Sequence, residues 1–116
     1  MIAVMFEFTP HAHRRGRYFD LVGEMREHLA RVDGFISVER FESVTTPGKF
    51  VSLSMWRDEE ALRAWRNLPE HRGVQAEGRG EVFADYRLRV AEVIREYGLR
   101  ERAEAPADSR AVHDPV

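Results

Sequence analysis

The sequence predicts an α+β domain in which one antiparallel sheet carries two helices on a single face. Three observations lead there. Residues 2–9, 35–43, 50–56 and 81–93 repeat apolar side chains every second residue, the period of a strand. Between the first two runs, from His11 to Val32, the apolar residues instead step by three and four, the period of a helix. A second, shorter helical pattern starts at Asp58 and separates the third run from the fourth.

Ile2, Val4, Phe6 and Phe8 alternate with Ala3, Met5 and Glu7, so the first strand should be largely covered on both faces and should end at Pro10. In the first helix Tyr18, Leu21, Val22, Met25, Leu29 and Val32 form one stripe. Arg14, Arg15, Arg17, Glu24, Arg26 and Glu27 face water. Asp33-Gly34 stops it, with Gly34 suited to a left-handed cap. From Phe35 to Ser43 the pattern sets Ile36, Val38, Arg40 and Glu42 against Phe35, Ser37, Glu39, Phe41 and Ser43. The segment Thr45-Thr46-Pro47-Gly48-Lys49 reads as a turn. Phe50 to Trp56 then completes a hairpin, with Val51, Leu53 and Met55 opposing Phe50, Ser52, Ser54 and Trp56. Asp58 is a good N-cap with Glu59 and Glu60 behind it, and Ala61, Leu62, Trp65 and Leu68 form the apolar edge of the second helix. Pro69 interrupts that helix, which resumes over residues 70–79 and stops near Gly78 and Gly80. In the last strand Val82, Ala84, Tyr86, Leu88 and Val90 alternate with Phe83, Asp85, Arg87 and Arg89. Beyond Gly98 the pattern lapses. The reading is therefore one domain over residues 1–98 and a flexible tail, or an arm on a partner, over residues 99–116.

The resulting order, β-α-β-β-α-β, is that of the ferredoxin-like plait. Its helices cover only one sheet face, yet Ala3, Met5 and the far side of the hairpin are apolar. The expectation is a homodimer whose two sheets pack face to face.

With 116 residues and 43% hydrophobic side chains, the chain can build one core. Its 18 basic and 20 acidic residues leave a net charge of −2, which gives no bulk attraction for nucleic acid. The absence of cysteine excludes disulfides, thiolate nucleophiles and thiolate metal sites, and fits a cytoplasmic setting. Met1 to Phe6 is apolar, but Glu7 interrupts it and no basic region precedes it. No stretch approaches the roughly 18 apolar residues of a bilayer span, so neither signal peptide nor membrane segment is expected. His11-Ala12-His13 offers two ligands without a third, so no metal is expected. Arg14-Arg15-Gly16-Arg17 lacks the interleaved aromatics of a nucleic-acid site, and no P-loop or G-x-S-x-G occurs.

Several short features act together: Gly34-Phe35 after the first helix, Trp56 at a strand end, Glu60-Ala61-Leu62-Arg63-Ala64-Trp65, a helix containing His71, and Asp85-Tyr86-Arg87 on the last strand. In these the chain resembles the antibiotic biosynthesis monooxygenase (ABM) family of dimeric α+β barrels, across residues 1–98. The resemblance implies a dimer of ferredoxin-like subunits, each with a pocket between sheet and helices. It further implies oxidation of a phenolic, aromatic or quinone-like small molecule by O2 without metal, flavin or haem. A sister branch of the family binds and degrades haem. There a histidine ligand lies nearer the place of Gln75 than that of His71, and an asparagine stands on the first strand, where Ile2 to Thr9 has none.

On this resemblance Trp65 stacks on the substrate, His71 is the candidate base, and Arg87 favours a phenolate or polarises an oxygen. Asn67, Tyr86 and Phe6 are the candidate substrate-binding residues. Each also has a plainer reading: Trp65 as core packing, His71 as a solvated helix start, Arg87 as part of a wet strand face. Haem degradation, and a non-catalytic dimeric module that binds a small ligand, stand as alternative functions.

Overall fold

Residues 1–114 are described by a computed structural model. Four strands form one antiparallel sheet: β1 (Ile2–Pro10), β2 (Phe35–Glu42), β3 (Phe50–Trp56) and β4 (Phe83–Glu92), in the spatial order β2-β3-β1-β4. The helices α1 (Arg15–Ala30), α2 (Glu59–Arg66) and α3 (Pro69–Glu77) carry the rest of the domain, and α4 (Ala107–His113) follows the sheet. This is the expected ferredoxin-like α+β plait, with its second helix divided.

Register fixes which side chains share a face, because directly paired residues project to the same side. Phe6 pairs with Ser52 on one side and Leu88 on the other, and Ser52 pairs in turn with Arg40. The inner, helix-covered face of β1 therefore carries Ile2, Val4, Phe6 and Phe8. The expectation that β1 is covered on both faces is corrected: Ile2, Val4 and Phe8 are buried, but Ala3, Met5 and Glu7 are only half-buried, since no helix lies over them. The strand ends at Pro10, as expected, and Pro10 itself pairs with Phe83 after a register shift at Thr9.

The α1 stripe packs as its spacing requires, with Tyr18, Leu21 and Leu29 buried; a 3-10 turn over Ala12–Arg14 leads into the helix. Gly34 takes φ 91°, and a Cβ there would lie 2.7 Å from the Ala61 Cβ, so both conformation and space require glycine. Gly48 takes φ 88° in the hairpin turn. The phase of β2 needs correction. A bulge between Phe35 and Ser37 puts Phe35 opposite Trp56, on the same face as Val38 and Arg40, and leaves Ile36 exposed.

Asp58 caps α2, its Oδ1 accepting the Ala61 N–H at 2.9 Å; that bond, ahead of the Arg57 guanidinium, holds its carboxyl below the usual range. Pro69 occupies the first turn of α3, where its missing N–H costs nothing. One wide π-type turn, Gly78–Val82, delays β4 to Phe83 and buries Val82 completely. Two core clusters result. One gathers Ile2, Val4, Leu29, Trp56, Ala61 and Leu62; the other gathers Phe8, Tyr18, Leu21, Phe50 and Val82.

The segment after the sheet has structure of its own. Arg102 pairs with Asp114 at 3.0 Å and donates to the Gly98 carbonyl, and Arg110 donates to the Ala105 carbonyl. Among the described residues, every hydrogen bond from Gly98 onward stays within residues 96–114. Pro115 and Val116, the last two positions of the expected tail, lie outside the described residues.

Candidate functional site

The inner sheet face meets α1, α2 and α3 around a cavity of about 480 Å3, a volume usual for small-molecule sites. It separates the two core clusters. Val4 and Phe6 of β1 and Ser52 and Ser54 of β3 lie on the sheet side, Leu21, Val22 and Met25 come from α1, and Trp65, His71 and Val74 from α2 and α3.

Trp65 and His71 are brought together by the break at Pro69. Their rings stack at 4.1 Å between centroids with 22° between planes. Trp65 also meets the buried Trp56 at 6.4 Å, which ties the pair to the core. His71 Nδ1 lies 3.2 Å from the Trp65 carbonyl and 3.2 Å from Gln75 Nε2. Burial lowers the His71 pKa from its ordinary value, the carbonyl of Trp65 opposing that shift, so the ring is neutral at physiological pH. In the tautomer whose Nδ1–H is given to the Trp65 carbonyl, Nε2 keeps its lone pair; in the other, Nδ1 accepts from the Gln75 amide and Nε2 carries the proton.

Phe6 and Tyr86 line the same cavity, their rings 5.5 Å apart. Arg79 donates to the Tyr86 hydroxyl and lies over its ring at 5.9 Å. Asn67 does not line the cavity. Its Oδ1 accepts from Arg72 at 2.7 Å, Arg72 donates to Gln75 Oε1 at 2.9 Å, and Gln75 reaches His71; Asn67 thus acts on the imidazole only through two other side chains. Arg87 is placed away from the others. It pairs in register with Glu7, on the opposite face of the sheet from Tyr86 and Leu88, so it faces neither Trp65 nor His71. The expectation that Arg87 joins a catalytic constellation is corrected by strand alternation itself.

Residues that the sequence did not single out complete the site. Arg40 projects from the inner face of β2, and its Nε donates to the Tyr18 hydroxyl at 3.1 Å. Burial raises the Tyr18 pKa, with Arg40 opposing. The inward phase of Arg40 beside Val38 was legible; a lone arginine on a hairpin strand gave no reason to select it. The Arg14–Arg17 cluster has a structural role instead. Arg17 holds Glu77 at 2.5 and 2.8 Å and Arg14 holds Glu81 at 2.9 Å, fastening α3 and the wide turn to α1. His11 and His13 stack at 5.7 Å, and no group of three metal-ligating side chains occurs among the described residues.

A plait with a largely apolar cavity between its sheet and helices, bearing a neutral imidazole stacked on an indole, defines a ferredoxin-like α+β domain with a candidate small-molecule site. The chain belongs to the antibiotic biosynthesis monooxygenase family, whose profile matches residues 1–77. A jasmonate monooxygenase from Pyricularia oryzae is 42% identical over 93 residues, covering 80% of this chain and 43% of that protein. The chain thus spans about two-fifths of the length of that relative. Among solved structures, Rv0793 from Mycobacterium tuberculosis superposes with a TM-score of 0.73 at 23% identity, covering 84% of this chain and 98% of the other. SnoaB, a cofactor-independent oxygenase from Streptomyces nogalater, superposes with a TM-score of 0.70 at 15% identity, covering 82% and 94%. At those identities the two structures establish the fold. No helix among the described residues is long and apolar enough to cross a membrane.

Proposed function

We propose that this domain is a cofactor-independent monooxygenase that oxidises an aromatic, phenolic or quinone-like small molecule with O2, and that it works as a cytoplasmic homodimer. The observation that carries the reading is the His71–Trp65 pair. It sets a neutral imidazole, able to take a proton, beside a flat apolar surface in a cavity lined mainly by apolar side chains. Membership of the family and the oxygenase activity named for SnoaB support the kind of reaction.

For a substrate whose CH2 is flanked by aromatic rings and a carbonyl, His71 removes one proton and leaves a delocalised carbanion. That anion gives one electron to O2, and the two radicals combine to form a C–O bond. The peroxide takes back the proton held on His71. Loss of the second C–H proton and cleavage of the O–O bond then release water and leave a carbonyl, so that CH2 and O2 become C=O and H2O. Every electron comes from the substrate, and no other reductant is needed.

Haem degradation has weaker support. The inner face of β1 presents Ile2, Val4, Phe6 and Phe8, and so offers an iron-bound ligand no polar side chain. The dimer reading rests on Ala3, Met5, Val51, Leu53 and Met55, which share the helix-free face of the sheet and are only half-buried. The self-contained segment after Gly98 is a candidate arm across that dimer.

An oxygen electrode tests the activity directly. Anthrone should drive O2 uptake with quinone formation at a stoichiometry of one, without added metal or flavin. No uptake with anthrone or hydroquinones removes the oxygenase reading and leaves a ligand-binding module. Sedimentation should give twice the chain mass. Haemin that produces no Soret shift would dismiss the haem alternative.

A further inference from the structure

Resting on the oxygenase reading, we propose that the substrate carries an ionised carboxylate, and that Arg40 is the side chain that receives it. The first observation is the charge balance of the cavity. Four arginines line it, Arg40, Arg66, Arg72 and Arg79, and among the described residues no aspartate or glutamate does. The whole chain has more acidic than basic residues, so composition alone does not produce this bias. Outside the cavity, six of the thirteen other arginines pair with a carboxylate: Arg14, Arg15, Arg17, Arg57, Arg89 and Arg102.

The second observation separates Arg40 from the other three. Arg72 is occupied by Gln75 and Asn67, and Arg79 by the Tyr86 hydroxyl. Arg66, at the end of α2, is exposed like Arg40 but has no hydrogen bond among the described residues to orient its guanidinium. Arg40 stands on the sheet itself, and only its Nε is used, given to the Tyr18 hydroxyl at 3.1 Å. Tyr18 is buried, and its ring packs on Phe8 at 4.5 Å and Phe83 at 5.8 Å, so the hydroxyl that orients the guanidinium is fixed. The two terminal nitrogens of Arg40 have no partner among the described residues. That is the pair of donors which takes a carboxylate in two parallel hydrogen bonds. Ser52, opposite Arg40 in register on the same face, adds a hydroxyl beside them.

Position gives the ligand its shape. β2 is an edge strand and Arg40 is exposed, so it marks the rim of the cavity, while Phe6, Leu21, Val22 and Met25 line the interior. An amphiphilic acid keeps its charge at the rim, close to water, and sends its apolar body toward Trp65 and His71. The jasmonate named for the Pyricularia oryzae relative is an acid of that shape.

Matched acids and esters test the assignment. Tryptophan fluorescence and calorimetry at pH 7.5 would follow jasmonic acid against methyl jasmonate, and 2-naphthoic acid against its methyl ester. Each acid should bind about tenfold or more tightly than its ester. Arg40→Gln should bring the acid down to the ester's affinity, Arg40→Lys should keep part of the preference, and Arg89→Gln on the far sheet face should keep all of it. A thermal melt confirms that each variant is folded. Equal binding of acid and ester, a preference that survives in folded Arg40→Gln, or no binding of either acid at millimolar concentration overturns the proposal. The oxygen electrode keeps the two readings apart. O2 uptake with anthrone but no carboxylate preference leaves the oxygenase and removes the Arg40 site; a preference lost in Arg40→Gln without O2 uptake from any substrate does the reverse.

Discussion

Arg40 and Arg89 stand on opposite edges of one sheet and face opposite sides. Outward, Arg89 meets Glu7 at 2.8 Å, and the Glu7 carboxyl is held below its usual range chiefly by that hydrogen bond. Inward, Arg40 meets only a tyrosine hydroxyl. The sheet thus gives this outer arginine a carboxylate of its own and leaves the inner Arg40 without one. The cavity side thus concentrates chemistry, and the far side is left with apolar surface to cover.

The contrast can be broken most severely at His71. His71→Ala should lower kcat/KM by roughly 10²- to 10⁴-fold, the usual contribution of a positioned base, with the fold retained by circular dichroism. The wild-type acid limb should fall at a pH below the ordinary imidazole value of 6.5, because burial lowers the His71 pKa and only the neutral ring accepts a proton. Stability follows the same sign: as pH drops through that region the unfolded chain takes up the proton first, and the native state loses ground. A profile rising through pH 7 or above would assign the base elsewhere. Next in size is Trp56→Ala, which empties the inner face at a side chain 1% exposed and should cost about 3–5 kcal/mol in urea unfolding. On the outer face, Leu53→Arg should leave the fold intact and convert dimer to monomer in sedimentation; an unchanged dimer would move the interface off this sheet. Smallest is Glu7→Gln, whose partner is half in water. It should barely move Tm at physiological salt, and the small change should shrink further at high salt.

Much of the fold was legible because strand and helix periods are local properties of the chain. The α1 stripe and the Gly34 stop needed only spacing and one special residue. The bulge at Phe35 was not legible, since it is imposed by what Trp56 and α2 require of Phe35 once the sheet exists. The wide turn at Gly78–Val82 was equally hidden, because Val82 continues the period-two pattern while its side chain serves the core between α1 and the sheet. At the site, Trp65 and His71 meet because Pro69 breaks the helix at a position the sequence marks. Arg87 shows how a residue type can mislead: the alternation that turns Tyr86 inward also turns Arg87 outward. Arg40 became recognisable only from the missing carboxylates around it, a property of the assembled cavity that no segment displays alone.

The central place of β1 has a consequence for how the chain reaches this state. Its partners are residues 50–56 on one side and 83–92 on the other, so the first strand of the sheet to be made is the last to be enclosed. During synthesis Val4 and Phe6 must wait for more than eighty residues before both neighbours exist. Such non-local pairing slows folding and leaves an apolar strand with open edges meanwhile. A nascent chain stopped before Phe83 would hold β1 with one edge unpaired, a natural target for chaperones and a route to strand exchange between copies.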